Sequence, residues 1–267
     1  MRIICILCLV AIPLLAQTSG NRLAITYADY GIPPRKLIDS HTAGLLPRAY
    51  YDVEMKAIPG GGLIFGMSVG IWDRFSISLS FGGDNIIGEG DVEFQKFPGV
   101  LVKYRLIEEN YFLPALALGF DNQGSGKWDA ESGRYRYKSK GFFAAISKSY
   151  LLLNYPIGFH GGANYNSGAE VYWTEEYPED EATPWNFNIG IDKSINEEIA
   201  LVTEYDFAVN DNPEVGAFFC GYLNAGVRWT LSQIFTIEID FKDLIGNSGN
   251  GAGNWSRELR LVYLESF

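Results

Sequence analysis

Phe235-Thr236-Ile237-Glu238-Ile239-Asp240-Phe241-Lys242 decides how this chain is read. Successive side chains of a strand point to opposite faces. Phe235, Ile237, Ile239 and Phe241 therefore share one face, and Thr236, Glu238, Asp240 and Lys242 the other. Upstream, Phe219, Gly221, Leu223, Ala225, Val227 and Trp229 alternate in the same way with Cys220, Tyr222, Asn224, Gly226, Arg228 and Thr230. The pattern recurs where Leu63, Phe65, Met67, Val69 and Ile71 enclose Gly66, Ser68 and Gly70. It appears again where Phe75, Ile77, Leu79 and Phe81 enclose Ser76, Ser78 and Ser80, and where Tyr205, Phe207 and Val209 oppose Glu204, Asp206 and Asn210. One face is apolar; the other is polar or charged.

Extending this reading along the chain predicts about twelve strands, near 49–57, 62–71, 74–82, 99–108, 111–121, 140–150, 155–165, 184–193, 198–210, 218–230, 233–242 and 255–265. Segment 140–150 fits least well, because Phe142-Phe143-Ala144-Ala145 places apolar groups on both faces. The connections alternate in length. Those at 72–73, 108–110, 151–154, 194–197 and 231–232 are tight, and those at 83–98, 122–139, 166–183, 211–217 and 243–254 are long; only 58–61 is short for its place. Such asymmetry belongs to outer-membrane barrels, with short periplasmic turns and long external loops. The expected fold is all-β, a single antiparallel transmembrane barrel of about 12 strands, with a soluble β-sandwich or closed barrel as the alternative. The strand at 219–229 would rise roughly 33 Å, or about 25 Å when tilted near 40°, matching a lipid-facing band. Trp72, Tyr104, Tyr150, Tyr155, Trp229 and Tyr263 fall at the ends expected to be periplasmic. Phe81, Phe120, Tyr165, Trp185 and Phe241 fall at the outer ends, where interfacial rings are favoured.

Composition narrows the function. A formal charge of −11 over 267 residues gives no clustered basic footprint for nucleic acid. Arg2, the apolar run 3–15 and Ala16 read as a signal peptide, residues 1–16, cut before Gln17. Cys5 and Cys8 fall within it, so the mature chain keeps only Cys220 and has no internal disulfide. Residues 17–48, with the turn-rich Gly31-Ile32-Pro33-Pro34, break the alternation and form either a periplasmic arm or a plug; 49–267 is the barrel. The last strand ends in Tyr263 and Phe267. A terminal Phe behind outward apolar residues resembles the recognition strand that barrel-assembly machinery reads, although it departs at Glu265. Outer-membrane lipid and that machinery are the expected partners.

Chemistry is sparse. The only histidines are His41 and His160. His160 should face the lumen beside Asn164, but no Ser follows it two positions on, as lumen or outer-membrane hydrolases of the His–Ser type require. A hydrogen-bonded lumen histidine is the expectation, with no catalytic residue. Lys103, Arg105, Glu204, Asp206, Arg228, Glu238, Asp240, Lys242 and Arg260 should face the same lumen and brace it by ion pairing. No Cys/His group has metal-ligand spacing, and no cofactor is expected. Paired charges of both signs predict a narrow path of low conductance. In the loops, Trp128, Tyr172 and Trp173 could stack on sugar rings.

One resemblance adds to this. The stretch Pro114-Ala115-Leu116-Ala117-Leu118-Gly119-Phe120-Asp121-Asn122-Gln123-Gly124-Ser125-Gly126, followed by Tyr137-Lys138-Ser139-Lys140, resembles the YjbH-type outer-membrane proteins. Residues 38–47 are similar to that family's N-terminal opening. Covering about residues 37–150, the resemblance implies an outer-membrane barrel linked to exopolysaccharide production or export, with polysaccharide as a partner. A narrow solute channel and a structural or adhesive surface barrel are the other readings.

Overall fold

The computed structural model of the chain describes residues 31–129, 134–166, 183–211, 221–247 and 255–267. Residues 1–30, and with them the expected signal peptide, lie outside it, as do Tyr172, Trp173, Phe219 and Cys220.

In chain order the strands are β1 (Tyr50–Ile58), β2 (Gly62–Trp72), β3 (Phe75–Asp84), β4 (Glu93–Phe94), β5 (Gly99–Ile107), β6 (Ala115–Asp121), β7 (Ser125–Asp129) and β8 (Arg134–Tyr137). They continue with β9 (Gly141–Leu152), β10 (Tyr155–Tyr165), β11 (Trp185–Ser194), β12 (Ile199–Asp206), β13 (Tyr222–Leu231), β14 (Phe235–Lys242) and β15 (Ser256–Ser266). Neighbouring strands pair antiparallel, and β1 pairs with both β2 and β15, from Tyr50 opposite Ser266 to Ala57 opposite Leu259. The sheet closes as a ring of twelve strands; β4 adds only to the outer end of β3, and β7 and β8 form a separate hairpin. Closure leaves no sheet edge, so every ladder group inside a lipid layer finds a partner.

The wall is inverted relative to a water-soluble protein. On β14, Glu238 is 1% and Asp240 0% exposed, while Ile239 between them is 46% exposed. On β13, Asn224 is buried and Val227 and Trp229 face out. An outward belt of Phe65, Leu79, Ile146, Phe187, Leu201 and Ile239 is stable only against hydrocarbon, and charges are tolerated inside because they are paired. This makes the fold a transmembrane β-barrel. Outer-end aromatics pair across neighbouring strands and loops: Phe81 with Phe94, Phe120 with Phe142, Tyr165 with Trp185 and Phe241 with Trp255.

Three boundaries differ from expectation for local reasons. The turn before β6 runs over 108–114, not 108–110: Asn110 Oδ1 accepts from the N–H groups of Phe112 and Leu113, and Pro114 has no N–H to give. β12 stops at Asp206 because its carboxylate accepts the Ala208 N–H and turns the chain. The long loops at 83–98 and 122–139 contain β4, β7 and β8.

Residues 31–48 run inside the ring. Leu37, Ile38, Ser40, Thr42, Ala43, Leu45 and Leu46 are buried. The core is a small hairpin in which Lys36 bridges to His41 and the Leu37 N–H donates to the Ser40 carbonyl. The wall makes room for it: a Cβ at Gly70 would collide with the Pro47 carbonyl, and one at Gly190 with the Leu37 side chain.

Candidate functional site

A chain segment inside a barrel brings backbone N–H and C=O groups that must be satisfied without water. Here the wall does this with charges. Glu204 on β12 carries its carboxylate to the hairpin tip, where it accepts from the N–H groups of Ile38 (3.2 Å), Asp39 (3.0 Å) and Ser40 (2.9 Å), and from Asn224 Nδ2 (2.8 Å). Lys103 on β5 does the reverse. Its ammonium donates to the carbonyls of Arg35 (2.8 Å), Thr42 (3.0 Å) and Gly44 (3.2 Å). Arg228 donates to the Lys36 and Leu37 carbonyls and Arg260 to those of Leu37 and Ile38, while both bond Glu238. A wall acid thus gathers backbone donors and wall bases gather backbone acceptors, each bond charge-assisted.

Side chains of the segment are fixed as well. Arg35 pairs with Asp52, and Lys36 with Asp121 at 3.3 Å. His41 Nε2 lies 2.9 Å from Asp121, and its ring stacks on Phe143 with centroids 4.0 Å apart. Strand alternation sends Phe143 inward and Phe142 out, and the stack on His41 accounts for an apolar ring on the inward face. Burial and the nearby Lys36 charge push the imidazole down to about 3, although the Asp121 hydrogen bond pulls the other way. Asp39 reaches Lys242 at 2.6 Å and Lys56 at 3.5 Å. Burial alone would raise the Asp39 carboxyl, but Lys242, Lys56 and Lys140 outweigh it and hold it below the ordinary carboxylate range.

His160 and Asn164 are both buried, and the partners of His160 lie on the neighbouring strands. Its Nε2 lies 2.5 Å from Asp192 Oδ1 on β11, and its Nδ1 lies 2.8 Å from Ser147 Oγ on β9. Register decides this: His160 stands opposite Ser147. A search along β10 misses a serine that lies across the ladder. The row has the residue types of a hydrolytic triad, but Ser147 Oγ already accepts the Ala43 N–H at 2.9 Å, and the lumen cavity touches Asp192 without lining Ser147 or His160. In this geometry the row pins the segment at Ala43.

Beside the segment lies a cavity of about 1080 Å³. It touches Glu197, Gln233 and Ser266 at the short-turn rim and Arg134, Tyr137 and Asp211 at the long-loop rim. Four basic residues missed in the sequence line its outer part: Arg134, Arg136, Lys138 and Lys140, at alternate positions of β8 and of the segment 138–140 that follows it. Arg134 pairs with Asp211 at 2.7 Å and Lys140 with Asp206 at 2.6 Å. Lys138 bonds Asn210, and burial pushes its ammonium down to about 8 against the pull of Asp211 and Asp206. The alternation Arg-Tyr-Arg-Tyr-Lys-Ser-Lys was the available signal.

No family model matches this chain, and no curated protein does. Solved outer-membrane barrels do resemble it. A KdgM porin aligns over 82% of this chain and 99% of its own, at 9% identity and a TM-score of 0.46. A NanC porin aligns over 81% and 99%, at 11% identity and 0.39. Omp33 of Acinetobacter baumannii aligns over 83% and 99%, at 8% identity and 0.40. At this depth the barrel reading stands on the chain's own strand register and inverted wall.

The remaining expected site residues fall as follows. Lys242, Arg228, Glu238, Asp206 and Arg260 line the cavity, and Asp240 lies beneath Arg260 at 3.5 Å. Arg105 sits apart at the short-turn rim, donating to the Asp73 carbonyl. Trp128 packs edge-on against Tyr135 and Phe97 beneath Lys96. Tyr263 bonds Glu265, and Phe267 stacks on Tyr51. Among the described residues no group of three or more His, Cys, Asp or Glu side chains could hold a metal.

Proposed function

We propose that the chain is a narrow, internally plugged solute channel of the outer membrane, exported by the 1–16 signal and assembled through its Tyr263/Phe267 end. The supporting observation is a cavity that touches residues of both rims beside the buried segment 31–48. With the lumen charges largely paired, conductance should be low. The basic outer stretch favours small anionic solutes at the mouth, and the acids Glu197 and Glu198 at the inner rim offset much of that preference. Purified, unboiled protein in planar bilayers should show small steps with weak anion preference. Absence of any conductance, both in wild type and in a chain lacking residues 31–48, would overturn the channel and favour a structural or adhesive barrel.

An accessory role in exopolysaccharide production or export is the second reading. What favours it is that the two stretches similar to YjbH-type proteins meet in the lumen: His41 bonds Asp121, and Ala43 packs with Ala115 and Ala117. A knockout with unchanged polysaccharide output would remove it.

A further inference from the structure

The strongest unexplained feature is where the plug puts its one acidic side chain. Asp39 faces the cavity at the foot of the basic stretch, in a cradle built by three strands: Lys56 on β1, Lys242 on β14 and Glu258 on β15. Glu258 already partners both lysines, at 2.7 Å from Lys56 and 3.3 Å from Lys242. The two ammonium groups and one wall carboxylate leave one uncompensated positive charge, and Asp39 supplies the balancing anion. Lys242 also sits over the Tyr137 ring at 4.9 Å, which keeps its ammonium turned toward the cavity. The Asp39 backbone is held elsewhere, on Glu204, so its carboxylate contributes to this cradle separately from the backbone lock.

From this geometry we infer that the Lys56–Lys242 cradle is a binding site for a small carboxylate, occupied in the resting barrel by Asp39 of the plug. The inference rests on the channel reading and adds the ligand class. An anionic solute drawn past Arg134, Arg136, Lys138 and Lys140 reaches the cradle from the outer mouth. It competes with Asp39 for the same two ammonium groups, because one carboxylate suffices to neutralise the excess charge. Solute entry and loosening of the plug tip are then one exchange of carboxylates, with no bond made or broken.

Chemical rescue tests this on the full barrel, refolded in detergent micelles. Hydrogen exchange at residues 37–44 is compared in wild type, Asp39→Ala and Asp39→Ala/Lys242→Met, with sodium acetate replacing sodium chloride at constant ionic strength. Asp39→Ala should raise exchange on the order of tenfold in chloride, the loss of one charge-assisted contact. Acetate should restore most of the protection in Asp39→Ala and none in the double variant. Slower migration of boiled than unboiled protein on gels confirms that each variant is folded. Equal exchange in acetate and chloride for Asp39→Ala, equal rescue of the double variant, or wild-type exchange in Asp39→Ala would each overturn the site. None of these readouts depends on conductance, so a silent bilayer record would sink the channel without touching the carboxylate result.

Discussion

The lumen wall has two unlike arcs. From β12 to β15 it presents Glu204, Arg228 and Arg260, long side chains that cross to the plug and bond its backbone, with Glu238 bracing the two arginines. From β2 to β3 it presents Gly66, Ser68, Ser76, Ser78 and Ser80, short side chains that border the cavity. Both arcs obey the same period-two alternation, and only side-chain reach separates them. Where inward groups are long and charged they grip the segment; where they are short, space remains. The serine arc adds space without grip, while the charged arc borders the cavity and grips the segment, helped by Asp52 on β1, Lys103 on β5 and Asp121 on β6.

The charged arc is most severely tested at Glu204. Glu204→Ala leaves three buried N–H groups of the hairpin tip without an acceptor, at about 1–3 kcal/mol each. Exchange at residues 37–42 should rise by a factor of at least about 100, with closed-barrel gel migration unchanged. If protection persists, the charged arc does not hold the plug and the contrast between arcs fails.

Acidity loosens the same grip through His41. The docked imidazole is held down to about 3 by burial and by Lys36, and an undocked one titrates near 6.5. Because the released state binds the extra proton, docking is fully favoured above that ordinary value and loses about 1.4 kcal/mol per unit as pH falls below it, toward 3. Protection factors at residues 36–46, corrected for the intrinsic pH dependence of amide exchange, should therefore be roughly 25-fold lower at about pH 5 than near neutrality, and His41→Gln should flatten the profile. An unchanged slope in that variant would assign the pH response elsewhere.

On the serine arc the expected effect is smaller and of another kind. Ser78→Phe adds bulk beside the cavity and should cut conductance by roughly half, with plug exchange unaltered. A rise in plug exchange would mean that the two arcs are not separable.

How much of this the sequence discloses depends on how many faces a residue has. Glu238 and Asp240 sit between lipid and lumen, two environments that alternate, so their orientation is readable from Ile237 and Ile239 alone. Residues 37–46 meet wall on every side, so their apolar and polar groups follow no period, and arm could not be told from plug. Phe143 broke the pattern because it faces His41, a contact some hundred positions away. The Ser147–His160–Asp192 row depends on register across three strands, which single-strand spacing does not contain. The basic residues at 134–140 alternate visibly over seven positions, but they fall mostly within a stretch that reads as the 122–139 connection, of which only four form the strand β8.

The bonds from Arg260 to the Leu37 and Ile38 carbonyls join positions 223 and 222 residues apart. In chain order the hairpin comes first and its Arg228 and Arg260 anchors nearly last, so the Lys36, Leu37 and Ile38 carbonyls exchange water for these partners only when the C-terminal strands are in place. Its docking carries one of the largest loop-closure costs available to this chain. The β1–β15 seam lies beside those anchors, at Lys56 opposite Arg260. The strand that completes the ring is therefore also the strand that delivers Arg260, which couples zipping of the seam to capture of the N-terminal segment.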